Sequence, residues 1–198
     1  MRASEKLYRG LGNAAWGYFF LLFDFKINGV NFLPAFIGYL LFFSAIHCFA
    51  EDTKEGSVLS VLGAVLTFWY FFSWLRDLLP LGIPEVLWQG LVLTAGIANI
   101  YFQYRMLTNI ASVAEGHQAE GATFDRRVLT YRTLITVLLS ILLAVGQVLA
   151  WFNRTWLIMT LGVAVVQIVV GILLMKTLFD LRKQITQDEA EEEEEPSP

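Results

Sequence analysis

The stretch 133-TLITVLLSILLAVGQVLAWFNRTWLIMTLGVAVVQIVVGILLM-175 carries one formal charge, Arg154, near its centre. The uncharged segments on either side, 133–153 and 155–175, contain 21 residues each. About 20 consecutive apolar residues are needed for a helix to cross the hydrocarbon core of a bilayer. A tight hairpin at Arg154 would return the chain through the membrane. This stretch therefore predicts an all-α integral membrane protein.

The composition of the whole chain of 198 residues agrees with this prediction. Hydrophobic residues make up 56% and charged residues only 16%, whereas about a quarter of the residues of a soluble domain are charged. The net charge of −4 arises in the C-terminal tail, because seven of the 18 acidic residues lie in 188–195. Nucleic-acid binding gains no support from this balance. The single Cys48 excludes an internal disulfide and a CxxC zinc module.

Stretches between charges predict a bundle of six transmembrane helices. The first is short, because Gly10 to Phe23 offers only 14 uncharged residues before Asp24. Such a length also fits an interfacial helix, a re-entrant segment or the apolar region of a signal peptide. No small-x-small cleavage pattern follows it, so the segment is expected to stay in the mature protein. The predicted spans are 10–25, 33–50, 56–75, 86–104, 133–153 and 155–175.

The distribution of Lys and Arg predicts the direction of these spans, because positively charged loops stay in the cytoplasm. With six crossings and an internal N-terminus, eleven of the 14 basic residues lie inside. The three outer loops carry one each, namely Lys26, Arg76 and Arg154. Both termini are therefore predicted to be cytoplasmic.

The predicted soluble parts are an inner loop, 105–132, and a tail that follows a single helical domain, 1–182. In the inner loop Met106, Leu107, Ile110, Ala111 and Ala114 recur at helical spacing, so the fourth helix should continue beyond the bilayer to about Gly116. Thr123 is predicted to cap the fifth helix. The acidic tail, 183–198, is predicted to be disordered.

The four longest predicted spans, 56–75, 86–104, 133–153 and 155–175, contain no residue with a formal charge. Three of them carry small and amide residues at helical spacing. Counting from Arg154 places Gln147 level with Thr160, and Ser140 level with Gln167, so both pairs are predicted to form hydrogen bonds. Such residues most often hold helices together, and the alternative is a polar path for a small solute. The candidate residues of this polar stripe are Gln89, Asn99, Gln103, Ser140, Gln147, Thr160 and Gln167.

A second cluster, Asp24, Asn28 and Asn31, surrounds the first outer loop. Its ordinary role is formation of the Asn28-Gly29 turn and pairing of Asp24 with Lys26. No catalytic residue, metal-ligand set or cofactor motif is predicted, so the protein is not expected to be an enzyme.

The segment 23-FDFKINGVNFLPAFIGYL-40 resembles one near the N-terminus of uncharacterised multi-pass membrane proteins from Gram-positive, clostridia-like bacteria. The shared pattern runs from a short first span through Leu-Pro into Phe-Ile-Gly-Tyr. Ala35 stands where such proteins often have Asp. The resemblance covers about a tenth of the chain and implies a bacterial cytoplasmic membrane without implying an activity.

Two functions remain open at this point. The first is an accessory, regulatory or scaffolding membrane component whose protein partner binds the inner loop or the acidic tail. The alternative is a small transporter or channel for a small solute. Six spans with short loops leave little room for an internal pathway, so this alternative favours a homo-oligomer. Both functions place the chain in the lipid bilayer.

Overall fold

A computed structural model describes residues 3–23, 26–27, 30–31, 33–50, 56–79, 82–119, 121–148 and 154–194. These residues form six helices and one two-stranded hairpin, which confirms the predicted all-α class with six helices. The elements in chain order are α1 (Ala3–Leu22), β1 (Lys26–Ile27), β2 (Val30–Asn31), α2 (Ala35–Cys48), α3 (Gly56–Leu78), α4 (Glu85–His117), α5 (Phe124–Val148) and α6 (Arg154–Glu194).

The six helices form a closed ring in which each packs against its neighbours in sequence and α1 packs against α6. Neighbouring helices run in opposite directions. Halfway along α1, Gly12 lies beside the Arg182 guanidinium of α6, and at the end of α1 Leu22 lies against Gly171. The starts of α1, α3 and α5 and the ends of α2, α4 and α6 therefore share one end of the bundle.

Burial divides the ring into two halves. At the shared end, which we call the closed end, the second half of α4 from Phe102 to Ala114 is mostly buried, and one face of α6 from Val170 to Ile185 is buried. At the opposite end, the open end, α4 buries only Trp88 before Phe102. None of the described side chains of 158–169 is buried there. The hydrophobic core therefore lies at the closed end, and the helices leave space between them at the open end.

The outer surface of the ring is apolar. Large side chains on the outer faces of α3 to α6 are well exposed, for example Phe68 at 71% and Leu161 at 67%. Extended apolar surface of this kind is rare on soluble monomers and is typical of contact with lipid. Three helices in the described part of the chain are long and apolar enough to cross a membrane, namely Gly56–Leu78, Phe124–Gly146 and Thr160–Ile185.

The first two helices differ from the prediction that the first span is the short one. Helix α1 has 20 residues, because it begins at Ala3 and includes Lys6 and Arg9, which the count of uncharged residues left out. The shortest helix is α2, with 14 residues. At 1.5 Å per residue it is about 21 Å long, shorter than the hydrocarbon core of about 30 Å.

Helices α1 and α2 approach unusually closely because glycines face each other. A Cβ on Gly38 would lie 2.8 Å from the Gly17 carbonyl oxygen and 2.5 Å from Leu21 Cδ1. Small residues let helix backbones come into contact in this way in membrane proteins. This contact positions Tyr18 and Tyr39, one residue further along each helix.

The connection from α1 to α2 contains a β-hairpin that the sequence indicated only as a turn. Strands β1 and β2 are antiparallel, with Lys26 opposite Asn31 and Ile27 opposite Val30. Two residues separate the paired positions, as in the common two-residue hairpin. The hairpin connects α1 to α2 at the open end.

The predicted extension of the fourth helix is confirmed, since α4 continues to His117. The five apolar residues on which the prediction rests are buried in the core, so this segment is part of the bundle and not a free loop. Helix α5 begins at Phe124, which puts Thr123 at the cap position as predicted. The side chain that caps it is Gln118, whose Oε1 accepts hydrogen bonds from the backbone N–H groups of Phe124 (2.9 Å) and Asp125 (3.3 Å).

Helix α6 extends further than the sequence predicted. It has 41 residues and ends at Glu194, so the stretch 183–194 is helical where disorder was expected. Two physical features favour this continuation. Ala, Gln and Glu are good helix formers, and a helix already nucleated in the bundle extends without a new nucleation cost.

Candidate functional site

A cavity of about 480 Å³ lies inside the ring, above the closed-end core. All six helices contribute to its wall. Most of the lining side chains are aliphatic, and among those described none carries a formal charge. The lining residues are Tyr18, Leu21, Leu22, Ala35, Tyr70, Asn99, Gln103, Ile135, Leu139, Leu142, Ala164, Gln167 and Ile168.

Three residues of the predicted polar stripe meet in this cavity. Asn99 and Gln103 lie one turn apart on α4, and Gln167 comes from α6. They reach the same space because the ring closes α6 against α1 and α5 while α4 packs on the other side of α5. Part of the predicted stripe therefore forms one site, although its residues come from α4 and α6, which are not neighbours in sequence.

A hydrogen-bond chain orients the amides on α4. The Tyr39 hydroxyl donates to Asn99 Oδ1 at 2.5 Å, and Gln103 Nε2 donates to the same oxygen at 3.3 Å. Because the Gln103 nitrogen points to Asn99, its carbonyl oxygen points away from that residue. Gln103 is only 1% exposed, so this orientation is held inside the bundle.

Three oxygen atoms of the cavity wall are buried without a hydrogen-bond partner. They are the Tyr18 hydroxyl, Gln103 Oε1 and Gln167 Oε1. Buried polar groups in proteins are nearly always paired, and an unpaired one costs about 1–3 kcal/mol. All three atoms belong to residues that line the one cavity.

Aromatic rings close the cavity on the side of the core. Tyr39 stacks on Tyr70 with ring centroids 4.8 Å apart, and Phe42 lies edge-on to Tyr18 at the same distance. Phe102 packs against both Tyr39 and Phe42. We call Tyr18, Tyr39, Phe42, Tyr70 and Phe102 the aromatic floor. Because Tyr39, Phe42 and Phe102 are fully buried, the cavity does not continue to the closed end in this conformation.

The remaining stripe residues lie outside the cavity wall. Gln89 and Ser140 are exposed, and Thr160 is half-buried but does not line the cavity. The predicted Ser140–Gln167 hydrogen bond is not formed. Ser140 Oγ donates instead to the Thr136 carbonyl oxygen at 2.8 Å, and Gln167 Oε1 has no partner. Serine commonly bonds to its own helix in this way, which removes the need for a partner across the interface.

Other predicted residues fall where the structure describes no side chain. The Gln147 side chain lies outside the described part, so its predicted bond to Thr160 stays a prediction. Of the outer-loop cluster, Asp24 and Asn28 lie outside the described residues, and Asn31 is described only as backbone of β2.

The three tyrosines of this site were not among the residues predicted from the sequence, which were small and amide residues. A tyrosine in the middle of an apolar segment is itself a signal, because its hydroxyl needs a polar partner when buried. Tyr18, Tyr39 and Tyr70 all occupy such positions.

The two histidines are occupied locally. His47 Nδ1 lies 2.9 Å from the Phe43 carbonyl oxygen, and His117 Nδ1 lies 3.1 Å from that of Val113. Each contact is one turn back on the same helix. Among the described residues no three His, Cys, Asp or Glu side chains lie close enough together to hold a metal ion.

No protein-family model matches the chain, and neither a curated protein nor a solved structure matches it. The resemblance of residues 23–40 therefore assigns no family. What the structure supports is a helical protein with three candidate membrane-spanning helices and an internal cavity lined by all six helices.

Proposed function

We propose that this chain is a multi-pass membrane protein that binds a small solute in its central cavity, as a transporter or channel does. This is the second of the two functions that the sequence left open. The observation that carries it is the set of three unpartnered oxygens on Tyr18, Gln103 and Gln167 around one cavity. Amides that serve only as packing contacts bond to one another across helices, whereas the oxygens of Gln103 and Gln167 do not.

The proposal includes six crossings with both termini on the cytoplasmic side. The alternating ring supports it, because the basic residues of the predicted inner segments then lie at one end of the bundle. Arg9, Arg105, Arg132 and Arg182 all belong to the closed end, whereas Arg76 belongs to the open end. The short α2 would cross with the help of the hairpin before it, in a locally thinned bilayer.

The cavity is closed on one side, which is typical of one state of an alternating-access carrier. The aromatic floor separates the cavity from the closed end, which the charge distribution assigns to the cytoplasm. The conformation would therefore face outward. Passage to the cytoplasm requires rearrangement of Tyr39, Tyr70 and Phe102.

The accessory function remains a second candidate because of helix α6. Its last turns, 186–194, continue past Ile185 and carry acidic residues. A helical acidic end is better organised to meet a basic partner than a disordered tail is. The inner loop is the weaker docking surface, since Met106, Leu107 and Ile110 are buried.

Cysteine accessibility tests the proposed solute cavity. In a Cys48→Ser background, Ala164→Cys places a thiol on the cavity wall. Its neighbour Val165 is 54% exposed on the outer surface, so Val165→Cys is a matched control that faces lipid. A membrane-impermeant methanethiosulfonate reacts with the thiolate form of cysteine. The thiolate forms, and the reagent reaches it, only where water is present. We expect labelling of the Ala164 variant from one side of native vesicles and none of the Val165 variant.

Ala45→Cys supplies the second control, because Ala45 is fully buried in the core. If Ala164→Cys resisted the reagent from both sides, as Ala45→Cys should, the cavity would be dry and the proposal would be wrong. Equal labelling of the two neighbouring variants would place water on the outer surface and contradict the membrane setting.

A further inference from the structure

The walls of the cavity specify what it binds, and this inference rests on the proposed function. The unpartnered atoms are two amide carbonyl oxygens and one hydroxyl. A carbonyl oxygen only accepts hydrogen bonds, and a tyrosine hydroxyl accepts as well as donates. The two carbonyl oxygens therefore need a partner that brings hydrogen-bond donors, whereas the Tyr18 hydroxyl can bond to a donor or an acceptor.

The orientation of Gln103 is what makes its oxygen available. A free glutamine could rotate its amide and offer either atom. Here Gln103 Nε2 is bound to Asn99 Oδ1, which also accepts from the Tyr39 hydroxyl. Rotation of Gln103 alone would bring two oxygens together. With this arrangement of Tyr39, Asn99 and Gln103, the Gln103 side chain presents an acceptor.

The rest of the lining sets the body and charge of the ligand. Aliphatic side chains such as Leu139, Leu142 and Ile168 cover most of the wall. An ion in such a setting needs an opposite charge beside it, and none lies among the described lining residues. Water alone fits poorly, since about 16 molecules of about 30 Å³ each would fill the volume while three polar atoms and few others bind them.

We infer that the cavity binds an uncharged molecule whose apolar body carries hydroxyl or N–H donors, which bond to Tyr18, Gln103 and Gln167. The donor that bonds to Tyr18 lies against the aromatic floor, because Tyr18 belongs to both the floor and the cavity wall. The donor that bonds to Gln167 lies nearer the open end, because Gln167 is one turn closer to that end than Gly171, which packs against Leu22.

Two fluorinated probes that differ in one donor test this inference. 4-Fluorophenol has an O–H group, and 4-fluoroanisole carries a methyl ether in its place. Binding of each to the full-length protein in lipid nanodiscs is followed by ¹⁹F NMR, with empty nanodiscs as the control for partitioning into lipid. We expect the phenol to bind about three- to tenfold more tightly than the ether, the contribution of one hydrogen bond.

Tyr18→Phe removes only the hydroxyl and keeps the ring of the floor. It should weaken binding of the phenol by about three- to tenfold. The ether should lose less, because its oxygen can only accept a hydrogen bond from the Tyr18 hydroxyl. Gln167→Leu should act in the same direction. Gln89→Leu, an exposed amide at the open end, is the control and should change neither probe.

Equal binding of the two probes, with no effect of Tyr18→Phe or Gln167→Leu, would overturn the inference. So would the absence of binding by both probes in a protein whose Ala164→Cys variant is labelled, since the cavity would then hold water alone. In both cases labelling at Ala164 leaves the solute cavity itself standing. Failure of that labelling would instead overturn the proposed function.

Discussion

The hydroxyl groups of Tyr18 on α1 and Tyr39 on α2 differ in their hydrogen bonding. The Tyr39 hydroxyl donates to Asn99, whereas the Tyr18 hydroxyl is buried without a partner. The rings of both pack against Phe42. The same chemical change at the two positions therefore separates the effect of a hydrogen bond from that of the ring.

Replacement of each tyrosine by phenylalanine should change stability in opposite directions. Tyr39→Phe loses a buried hydrogen bond and should lower the free energy of unfolding by about 1 kcal/mol. Tyr18→Phe removes a buried hydroxyl that has no partner and should raise it by up to about 1 kcal/mol. Unfolding of the ligand-free protein in detergent, followed by circular dichroism, measures both.

A loss of stability in both variants would contradict this assignment, because it would mean that the Tyr18 hydroxyl is already satisfied. The expected gain also has a functional meaning. A residue whose removal stabilises the fold while weakening ligand binding is retained for function at the expense of stability.

At the scale of elements, the close contact of α1 with α2 determines where the floor residues meet. Both Gly17 and Gly38 leave room only for hydrogen at this crossing. The two glycines lie on helices of 20 and 14 residues, and neither helix is among the three candidate membrane spans.

Gly38→Ala should destabilise the protein by about 1–3 kcal/mol, because the added methyl group meets the Gly17 carbonyl oxygen, which cannot move without shifting the helix. Gly90→Ala is the matched control on the exposed surface of α4, with no atom within 4 Å of the new methyl group. It should be neutral or stabilising by up to about 1 kcal/mol, because alanine favours the helix.

Thermal unfolding of both variants in the same detergent distinguishes the two effects. Equal behaviour of Gly38→Ala and Gly90→Ala would show that the α1–α2 contact is looser than the structure has it.

For the whole molecule, the alternating direction of the helices determines which connections lie at the same end of the bundle. The hairpin that follows α1 lies at the open end, and the connection from α4 to α5 lies at the closed end. If all six helices cross the bilayer, these two connections face opposite compartments.

Single cysteines in a Cys48→Ser background test this arrangement. Asn28→Cys, between the two strands, should be labelled by an impermeant maleimide from outside the cell. Ala119→Cys, which is exposed beside the capping residue Gln118, should be labelled only after the cells are opened. Substitution at Ala119 leaves the Gln118 cap intact. Labelling of both cysteines from one side would rule out six crossings.

Much of the architecture could be predicted from the sequence because its signals are local. The apolar stretches on either side of Arg154 predicted two helices, and the spacing of Met106, Ile110 and Ala114 predicted that α4 continues beyond its apolar segment. Both follow from a helix satisfying its own backbone while its side chains meet lipid or core. The count of uncharged residues did not give the start of helix α1, because a helix that packs against neighbours tolerates charges such as Lys6 and Arg9 in its first turns.

The composition of the site was decided only by the tertiary structure. The sequence listed seven polar residues, but their depth along a helix does not reveal which way each side chain faces. Ser140 turned back to its own helix, whereas Gln167 and Gln103 face one cavity together with Tyr18. That meeting depends on the rotation of each helix about its axis and on the closure of α6 against α1, two helices at opposite ends of the chain. Packing of the whole ring determines both, and no local pattern in the sequence encodes them.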